Sequence, residues 1–191
     1  AFAVACLQEG IALREAGIKG KILILGYTPP ELSEFLSRWS LTQTVADLCH
    51  GQALSASGFP LSVHLAIDTG MHRLGIPAAD HAALFQVFHL PHLTIEGVFS
   101  HLCMADSQAP EARLFTAGQL QAFYDAVTWM RAAGLDPGAI HIQASSAIAH
   151  LPPQPCAYAR PGLALYGICS EGTSVPLQPA LSLRARVGSV R

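Results

Sequence analysis

The chain has 191 residues, of which 51% are hydrophobic and only 13% are charged, against about 25% charged residues in a typical soluble domain. Its formal net charge is -2 and its 11 Lys and Arg are scattered, so the composition disfavours nucleic acid and anionic lipid as partners. No apolar run approaches the roughly 20 residues of a membrane-spanning helix. The composition therefore predicts a large buried core and no membrane segment.

The five cysteines stand far apart and form no CxxC pair. Such an arrangement is typical of a reduced compartment, so we expect a cytoplasmic protein, and it disfavours a zinc site, so we expect no metal. The cysteines are Cys6, Cys49, Cys103, Cys156 and Cys169.

Short apolar segments alternate with stretches of helical periodicity along the chain. The apolar segments predict strands at Phe2 to Ala5, Ile22 to Leu25, Thr42 to Val45, Leu61 to Ile67, Thr94 to Ser100, Ile140 to Gln143 and Pro155 to Arg160. The periodic stretches predict helices at Leu7 to Ala16, Thr28 to Trp39, Asp47 to Ser57, Ala78 to Phe88, Leu114 to Met130 and Leu163 to Ile168. Thr28 is the predicted N-cap of the second helix, with Glu31 as its capping-box partner.

This alternation, with strands too apolar to show a polar face, favours an all-parallel sheet in an α/β fold. We predict a (β/α)8 barrel of the TIM type rather than a doubly wound sheet, because no G-x-G-x-x-G follows any strand. The predicted strands number one fewer than eight, and Ala1 opens inside an apolar stretch without a preceding Met. We therefore expect a fragment that lacks the first strand of its barrel.

The last part of the chain has a different character. Ser170 to Pro179 contains Pro, Gly and Ser, as linkers do, and Ala180 to Arg191 alternates apolar with polar residues, which predicts a strand. We therefore divide the chain into a barrel domain, residues 1–175, and a segment, residues 176–191, that leads into the first strand of a C-terminal β domain.

Active sites of such barrels lie at the C-terminal ends of the strands. The residues that follow predicted strands and could carry chemistry are Arg73, His101, Ser145 with Ser146, and Arg160. A guanidinium held just beyond a rigid strand is suited to bind a carboxylate or phosphate through two hydrogen bonds.

Each of these side chains also has a purely structural explanation. Arg73 could pair with Asp68 or Asp80, His101 could satisfy a core hydrogen bond, the two serines could cap a helix, and Arg160 could be a charge at the rim. The sequence by itself leaves these alternatives open.

A phosphorylated ligand is the leading inference for this end of the barrel. The loops after the last two strands, with the start of a short extra helix, form the recurrent phosphate site of this fold. Ser145 and Ser146 lie in the first of these loops, and Gly162 and Leu163 lie in the second. Gly162 would let the backbone approach the ligand closely.

Four segments share their order and spacing with one known family. They are IDTGMHRLG at 67–75, GVFSHL at 97–102, HIQASSA at 141–147 and RPGLALYG at 160–167. Together they resemble the N-terminal barrel of the pyridoxal-phosphate-dependent alanine racemases, over nearly the whole chain. His-Leu-Cys at 101–103 and the HIQ form at 141–143 are closer to the serine/alanine racemase branch.

The resemblance implies a racemase that interconverts the L and D forms of alanine or serine, acts as a homodimer and uses pyridoxal 5'-phosphate. It implies that Arg160 faces the pyridine nitrogen of the cofactor and that His101, near the cofactor, links Arg160 to a catalytic tyrosine. It implies that Arg73 supports that tyrosine or the substrate carboxylate. Ser146 with Ser145, and the amides of Gly162 and Leu163, would hold the phosphate.

The sequence departs from the family pattern at several points. Ala66 stands where the family often has a modified lysine beside the arginine, and HIQASS is one residue longer than the usual HxANS. The two lysines, Lys19 and Lys21, precede a strand, at the wrong end of the barrel for the lysine that binds the cofactor. We therefore expect that lysine upstream, the catalytic tyrosine in the second domain, and no activity from this chain alone.

Two other functions remain open from the sequence. One is a single-domain barrel that binds pyridoxal phosphate without catalysis and serves its homeostasis, which the predicted strand after Ser182 disfavours. The other is an unrelated phosphosugar enzyme, which the scarcity of Asp, Glu and Lys at the strand ends disfavours.

Overall fold

The computed structural model describes residues 1–169, 173, 175–180 and 182–189. The strands are β1 (Phe2–Val4), β2 (Ile22–Ile24), β3 (Thr42–Val45), β4 (Leu61–Asp68), β5 (Ile76–Pro77), β6 (Leu93–Phe99) and β7 (Ala139–His141). The α-helices are α1 (Leu7–Glu15), α2 (Ser33–Arg38), α3 (Leu48–Ala56), α4 (His81–Phe88), α5 (Pro110–Ala132) and α6 (Ser145–His150). Short 3-10 turns cover Pro30–Leu32 and Leu163–Tyr166.

The strands lie side by side in the order β1-β2-β3-β4-β6-β7, and every described pair is parallel. Side chains on these strands, such as Ile22, Val45 and Leu65, are completely buried. Burial on both sides explains why the strands are continuous apolar runs. Because parallel strands in sequence order end at the same edge, the loops that carry the predicted site residues all begin there.

The helix ends have local causes. Asp47 accepts a hydrogen bond from the backbone of His50 at 2.7 Å, which caps α3, and Asp80 accepts from Ala83 at 3.0 Å, which caps α4. Gly17, Gly58 and Gly134 follow the ends of α1, α3 and α5 with φ of 86°, 78° and 76°. This left-handed backbone costs glycine little, so it ends these helices as expected.

The prediction that Thr28 caps a helix is wrong. Its hydroxyl is buried and has no hydrogen-bond partner among the described residues. Pro29 takes φ -54° and ψ 135°, because a residue that precedes proline is pushed out of the helical region. The helical backbone therefore starts only at Pro30, as a 3-10 turn that leads into α2.

Two strand predictions also need correction. Pro155 to Arg160 forms no strand, although Ala157 donates to the carbonyl of Ile140 at 2.9 Å, Arg160 donates to that of Gln143 at 2.9 Å, and Ala144 and Arg160 form a single bridge. Prolines at 152, 153 and 155 supply no N–H for a ladder. Conversely, β5 was not expected; it is held by a parallel pairing with the end of β4.

The predicted linker and C-terminal strand are only partly described. Residues 170–172, 174, 181, 190 and 191 lie outside the described residues. Residues 182–189 take no strand pairing, and Leu183 is 99% exposed. The predicted division at residue 175 and the C-terminal β domain stay predictions. No helix in the described ranges combines the length and apolar character that crossing a membrane requires.

Candidate active site

A cleft of about 840 Å³ runs along the inner side of the strands to their C-terminal ends. Its wall includes residues of six strands, such as Thr42, His64 and His141. All the predicted site residues line this one cleft: Arg73, His101, Ser145, Ser146, Arg160, Gly162 and Leu163. Residues from four separate parts of the sequence therefore meet in one space.

Arg160 is held rigidly at the wall of this cleft. Its Nη1 donates to Nδ1 of His141 at 2.5 Å, and its Nη2 donates to the carbonyl oxygens of Ser100 at 2.7 Å and Ile142 at 3.3 Å. The guanidinium carbon lies 5.3 Å from the ring centre of Phe99, in the geometry of a cation–π contact. Burial lowers the pKa of Arg160 to about 10, so the group stays charged at neutral pH.

Some of the donor capacity of Arg160 is unused. A guanidinium carries five N–H groups, and the described residues accept from three of them. The Nε–H and one Nη1–H therefore have no acceptor within the described structure. These donors can serve a ligand atom that accepts a hydrogen bond in the cleft.

His141 and His64 continue the chain of hydrogen bonds behind Arg160. A guanidinium only donates, so Nδ1 of His141 must accept and its proton must lie on Nε2. That Nε2 lies 2.9 Å from Nδ1 of His64, which must accept in turn. Both rings are thereby assigned as neutral tautomers protonated on Nε2.

The electrostatics of the two histidines agree with this assignment. Burial, and then the charge of Arg160 and the contact with His64, lower the pKa of His141 to about 2. Burial also lowers the pKa of His64 to about 4, although Glu96 opposes the shift. Gly97 makes room for the pair, because a Cβ at this position would lie 2.5 Å from Cε1 of His64.

His101 lies on the loop after β6 and is half-buried. Burial lowers the pKa of its imidazole, and the charges of Arg160 and Arg73 lower it further. The ring makes no hydrogen bond to the described residues, so both of its nitrogens are available to a ligand or to another chain segment. The structural explanation of His101 as a hydrogen-bonding core residue is therefore not supported.

Arg73 is exposed and makes no ion pair or hydrogen bond with the described residues. Its predicted structural partners are engaged elsewhere, since Asp80 caps α4 and Asp68 pairs with Nδ1 of His72 at 2.9 Å. Asp68 also accepts from the backbone of Gly70 at 2.9 Å and of His72 at 3.0 Å. The aspartate thus shapes the loop and leaves Arg73 free to bind an anion.

The residues of the predicted phosphate site lie where α6 meets the turn at Leu163–Tyr166. Oγ of Ser145 accepts from the backbone of Ala164 at 3.1 Å and joins the two segments. The amides of residues 145–147 and of Leu163 donate to none of the described residues, so they can bind an anion at these helical beginnings.

Gly162 differs in one respect from expectation. Its amide already donates to the carbonyl of Arg160 at 2.9 Å, so it is not free for the phosphate in this conformation. A Cβ at Gly162 would meet no protein atom within 4 Å. The protein itself therefore does not require glycine here, whereas a ligand close to the backbone would.

The described residues fit pyridoxal 5'-phosphate. The amides without a described partner, at one part of the cleft, can bind a phosphate group. The charged guanidinium of Arg160, at another part, has donors for a ring nitrogen that accepts a hydrogen bond. Lys21, in contrast, forms an ion pair with Glu96 at 3.0 Å at the beginning of β2. It is therefore no substitute for a cofactor-binding lysine at the opposite strand ends.

Sequence reasoning missed the roles of His64 and His141. The sequence did place both histidines within apolar strands, His64 on β4 and His141 on β7. A buried polar side chain needs a hydrogen-bond partner, so each histidine was a candidate for such a contact. What the sequence lacked was the pairing of β6 with both β4 and β7, which sets Nδ1 of His64 2.9 Å from Nε2 of His141.

Comparison with known proteins agrees with this geometry. Residues 1–170 match the family model of the alanine racemase N-terminal domain. The chain is 41% identical over 192 residues to a serine/alanine racemase of Enterococcus gallinarum, which covers 97% of this chain and 27% of that protein. It is 39% identical over 199 residues to an alanine racemase of Carboxydothermus hydrogenoformans, which covers 100% of this chain and 53% of that protein.

A solved structure of the alanine racemase of Clostridium difficile 630 in complex with cycloserine is similar with a TM-score of 0.85 and 31% identity. The similarity covers 93% of this chain and 51% of that chain. This chain thus spans about half the length of the alanine racemases and about a quarter of the serine/alanine racemase. The predicted α/β barrel architecture is confirmed, and the chain belongs to the alanine racemase family.

Proposed function

We propose that the protein containing this chain is a pyridoxal-phosphate-dependent racemase that interconverts the L and D forms of alanine, serine or both. The observation that carries the proposal is the meeting of Arg160, His101 and Arg73 with unpaired backbone amides in a single cleft. We further propose that it acts in the cytoplasm as a homodimer, as the family resemblance implies.

Ser145, Ser146 and the amide of Leu163 would hold the phosphate, and Arg160 would donate to the pyridine nitrogen. When bound, the cofactor withdraws electrons from the amino acid so that its Cα proton can be removed and returned. Arg160 would donate a hydrogen bond to the pyridine nitrogen without transferring its proton, because a guanidinium stays protonated at neutral pH. The hydrogen bonds from Arg160 to His141 and from His141 to His64 hold the guanidinium in place.

Arg73 and His101 would act on the substrate side. The unpaired guanidinium of Arg73 can bind the substrate carboxylate through two hydrogen bonds. The imidazole of His101 is neutral at physiological pH, because burial and two nearby arginines lower its pKa. It can therefore accept a hydrogen bond from a hydroxyl group and orient it.

The direct test uses the full-length protein, with bound cofactor measured by absorbance. L-alanine and L-serine are supplied separately and the D forms are quantified by chiral chromatography, before and after removal of the cofactor. We expect cofactor-dependent formation of at least one D form. A protein that binds the cofactor and converts neither amino acid would instead be a non-catalytic binding protein.

These 191 residues alone are expected not to racemise, since neither lysine lies at the cofactor end of the cleft. Turnover by them above that of free cofactor would contradict this expectation.

A further inference from the structure

Gln119 lies in the middle of α5, and its side chain is 99% buried, since only 1% of the residue is exposed. A buried amide is stable only when its donors and acceptor find partners. Those partners all belong to the two loops that carry predicted site residues. Nε2 donates to the carbonyl of His101 at 3.1 Å and to Oγ1 of Thr69 at 3.2 Å, and Oε1 accepts from the backbone of Cys103 at 3.1 Å.

The hydrogen-bond network continues from Thr69 to Arg160. Because Oγ1 of Thr69 accepts from Gln119, its own proton is free to point to Oγ of Ser100, which lies 2.8 Å away. The carbonyl of Ser100 accepts from Nη2 of Arg160 at 2.7 Å. One side chain on the outer helix is thus connected to the loops of Arg73 and His101 and to the guanidinium of Arg160.

Neither Arg73 nor the ring of His101 has a hydrogen-bond partner of its own among the described residues. The positions of both side chains therefore depend on the backbone from which they project. Thr69 lies four residues before Arg73 on the same loop, and the carbonyl held by Gln119 belongs to His101 itself. The side-chain amide of Gln119 thus contacts both loops on the side away from the cleft, and Gln119 is not part of the cleft wall.

We propose that Gln119 is a positioning residue for the proposed racemase reaction, which sets the relative placement of Arg73 and His101. It acts through Thr69 and the backbone of His101, and it contacts neither substrate nor cofactor. The inference rests on the proposed function only for its effect on turnover. Its effect on the two loops can be measured without any reaction.

The first test is hydrogen exchange of backbone amides in the full-length protein, with and without Gln119→Met. Methionine has a similar length and forms no comparable hydrogen bonds. We expect exchange at least about tenfold faster in residues 68–75 and 101–106 and unchanged exchange in β2 and β3, because loop opening is local. The control is Gln121→Met, two residues along the same helix, where the exposed amide donates to Asp125 at 2.8 Å and to no other described residue.

The second test is kinetic and separates positioning from packing. A displacement of reacting groups by about 1 Å can cost about 100-fold in rate, so we expect Gln119→Met to lower kcat/KM by about 10- to 100-fold with cofactor content unchanged. Gln119→Glu keeps the acceptor for Cys103 and loses the donors, and it should show most of this loss. In an Arg73→Lys background the effect of Gln119→Met should shrink, because the group that it positions is already altered.

The outcomes separate the two proposals. A full-length parent that converts neither amino acid rejects the proposed function, while local loosening of the two loops in Gln119→Met still supports the positioning role. Unchanged exchange in both loops overturns that role. So does an active parent whose Gln119→Met variant loses thermal stability and keeps its kcat/KM.

Discussion

The first and second halves of the described fold differ in how completely certain arginine and histidine side chains are hydrogen-bonded. In the first half, Arg14 donates to the carbonyls of Trp39, Ile18, Gly20 and Ser40 at 2.7 to 2.9 Å. Four of its five N–H groups are thereby satisfied within the protein. In the second half, two N–H groups of Arg160 have no acceptor among the described residues, and Arg73 makes no hydrogen bond or ion pair with them.

Two histidines, His50 and His101, differ in the same way as the arginines. His50, in the first half, uses both ring nitrogens, with Nδ1 accepting from Ala46 at 3.2 Å and Nε2 donating to Thr28 at 3.0 Å. The ring of His101, in the second half, makes no hydrogen bond through either nitrogen to the part of the chain that the structure describes. A closed network stabilises the fold, and an open one leaves groups for a ligand. The comparison teaches that residue type alone does not mark a site, because satisfied and unsatisfied arginines look alike in the sequence.

Replacement of Arg160 should produce the largest effect. In the full-length protein, we expect Arg160→Glu to lower racemisation by about 100- to 1,000-fold, as loss of a preorganised donor does. A carboxylate would also favour a protonated pyridine ring, so release of the keto acid from alanine should rise as a fraction of turnover. Chiral chromatography and a pyruvate assay measure the two products.

Arg160→Lys controls for misfolding, since it keeps the positive charge and loses the planar fork. If racemisation by both variants stays near the parent rate with cofactor bound, Arg160 is only a structural charge.

Replacement of Arg73 should come next. We expect Arg73→Ala to lower kcat/KM about 100-fold for alanine and serine alike, because the guanidinium would contact the carboxylate that both share. Parallel kinetics with the two substrates test this. A change of more than about tenfold in their ratio, or about 1.4 kcal/mol, would make Arg73 a specificity residue instead.

The buried histidine pair should make stability depend on pH. The folded pKa of His64 is about 4, against about 6.5 in an unfolded chain, so below pH 6.5 the unfolded state binds a proton that the folded state does not. The contribution of His64 to stability is therefore full above about pH 6.5 and falls by up to about 1.4 kcal/mol per pH unit down to about pH 4. Urea unfolding across this range should show a shallower slope in His64→Gln.

His141, whose folded pKa is about 2, should add the same slope over this range and continue it below pH 4. The matched control is His92→Asn, because His92 is exposed and its φ of 65° suits asparagine. An identical slope in the parent and His64→Gln would show that His64 is already protonated in the folded state.

The smallest effect is expected from replacement of Arg14, in the first half of the fold. Arg14→Met removes the hydrogen bonds to four carbonyls, which water can partly replace, so we expect a loss of about 1 to 2 kcal/mol in unfolding free energy. Urea unfolding of the full-length protein measures this. Since Arg14 has no part in the cleft, kcat should stay at the parent value, and a tenfold fall in kcat would erase the contrast between the halves.

Particular residues show how far prediction from sequence could go. The caps at Asp47 and Asp80 and the glycines after three helices act through neighbours within a few residues, so they depend on local chemistry, although neither aspartate cap was predicted. Thr28 failed because the geometry imposed by Pro29 and Pro30 outweighed its capping preference. The prediction for the segment from Pro155 to Arg160 failed because strand formation depends on partners, and Pro155 has no N–H to donate.

The sequence by itself determined the α/β class, the order of most strands and helices, and the segments whose ends would carry the site. These follow from short-range periodicity, turn chemistry and motif spacing. Only the tertiary structure decided that Arg160, His141 and His64 form one hydrogen-bonded line and that Gln119 holds the loops of Arg73 and His101. The physical reason is that hydrogen-bond partners separated by 18 to 77 residues are chosen by strand register and helix packing.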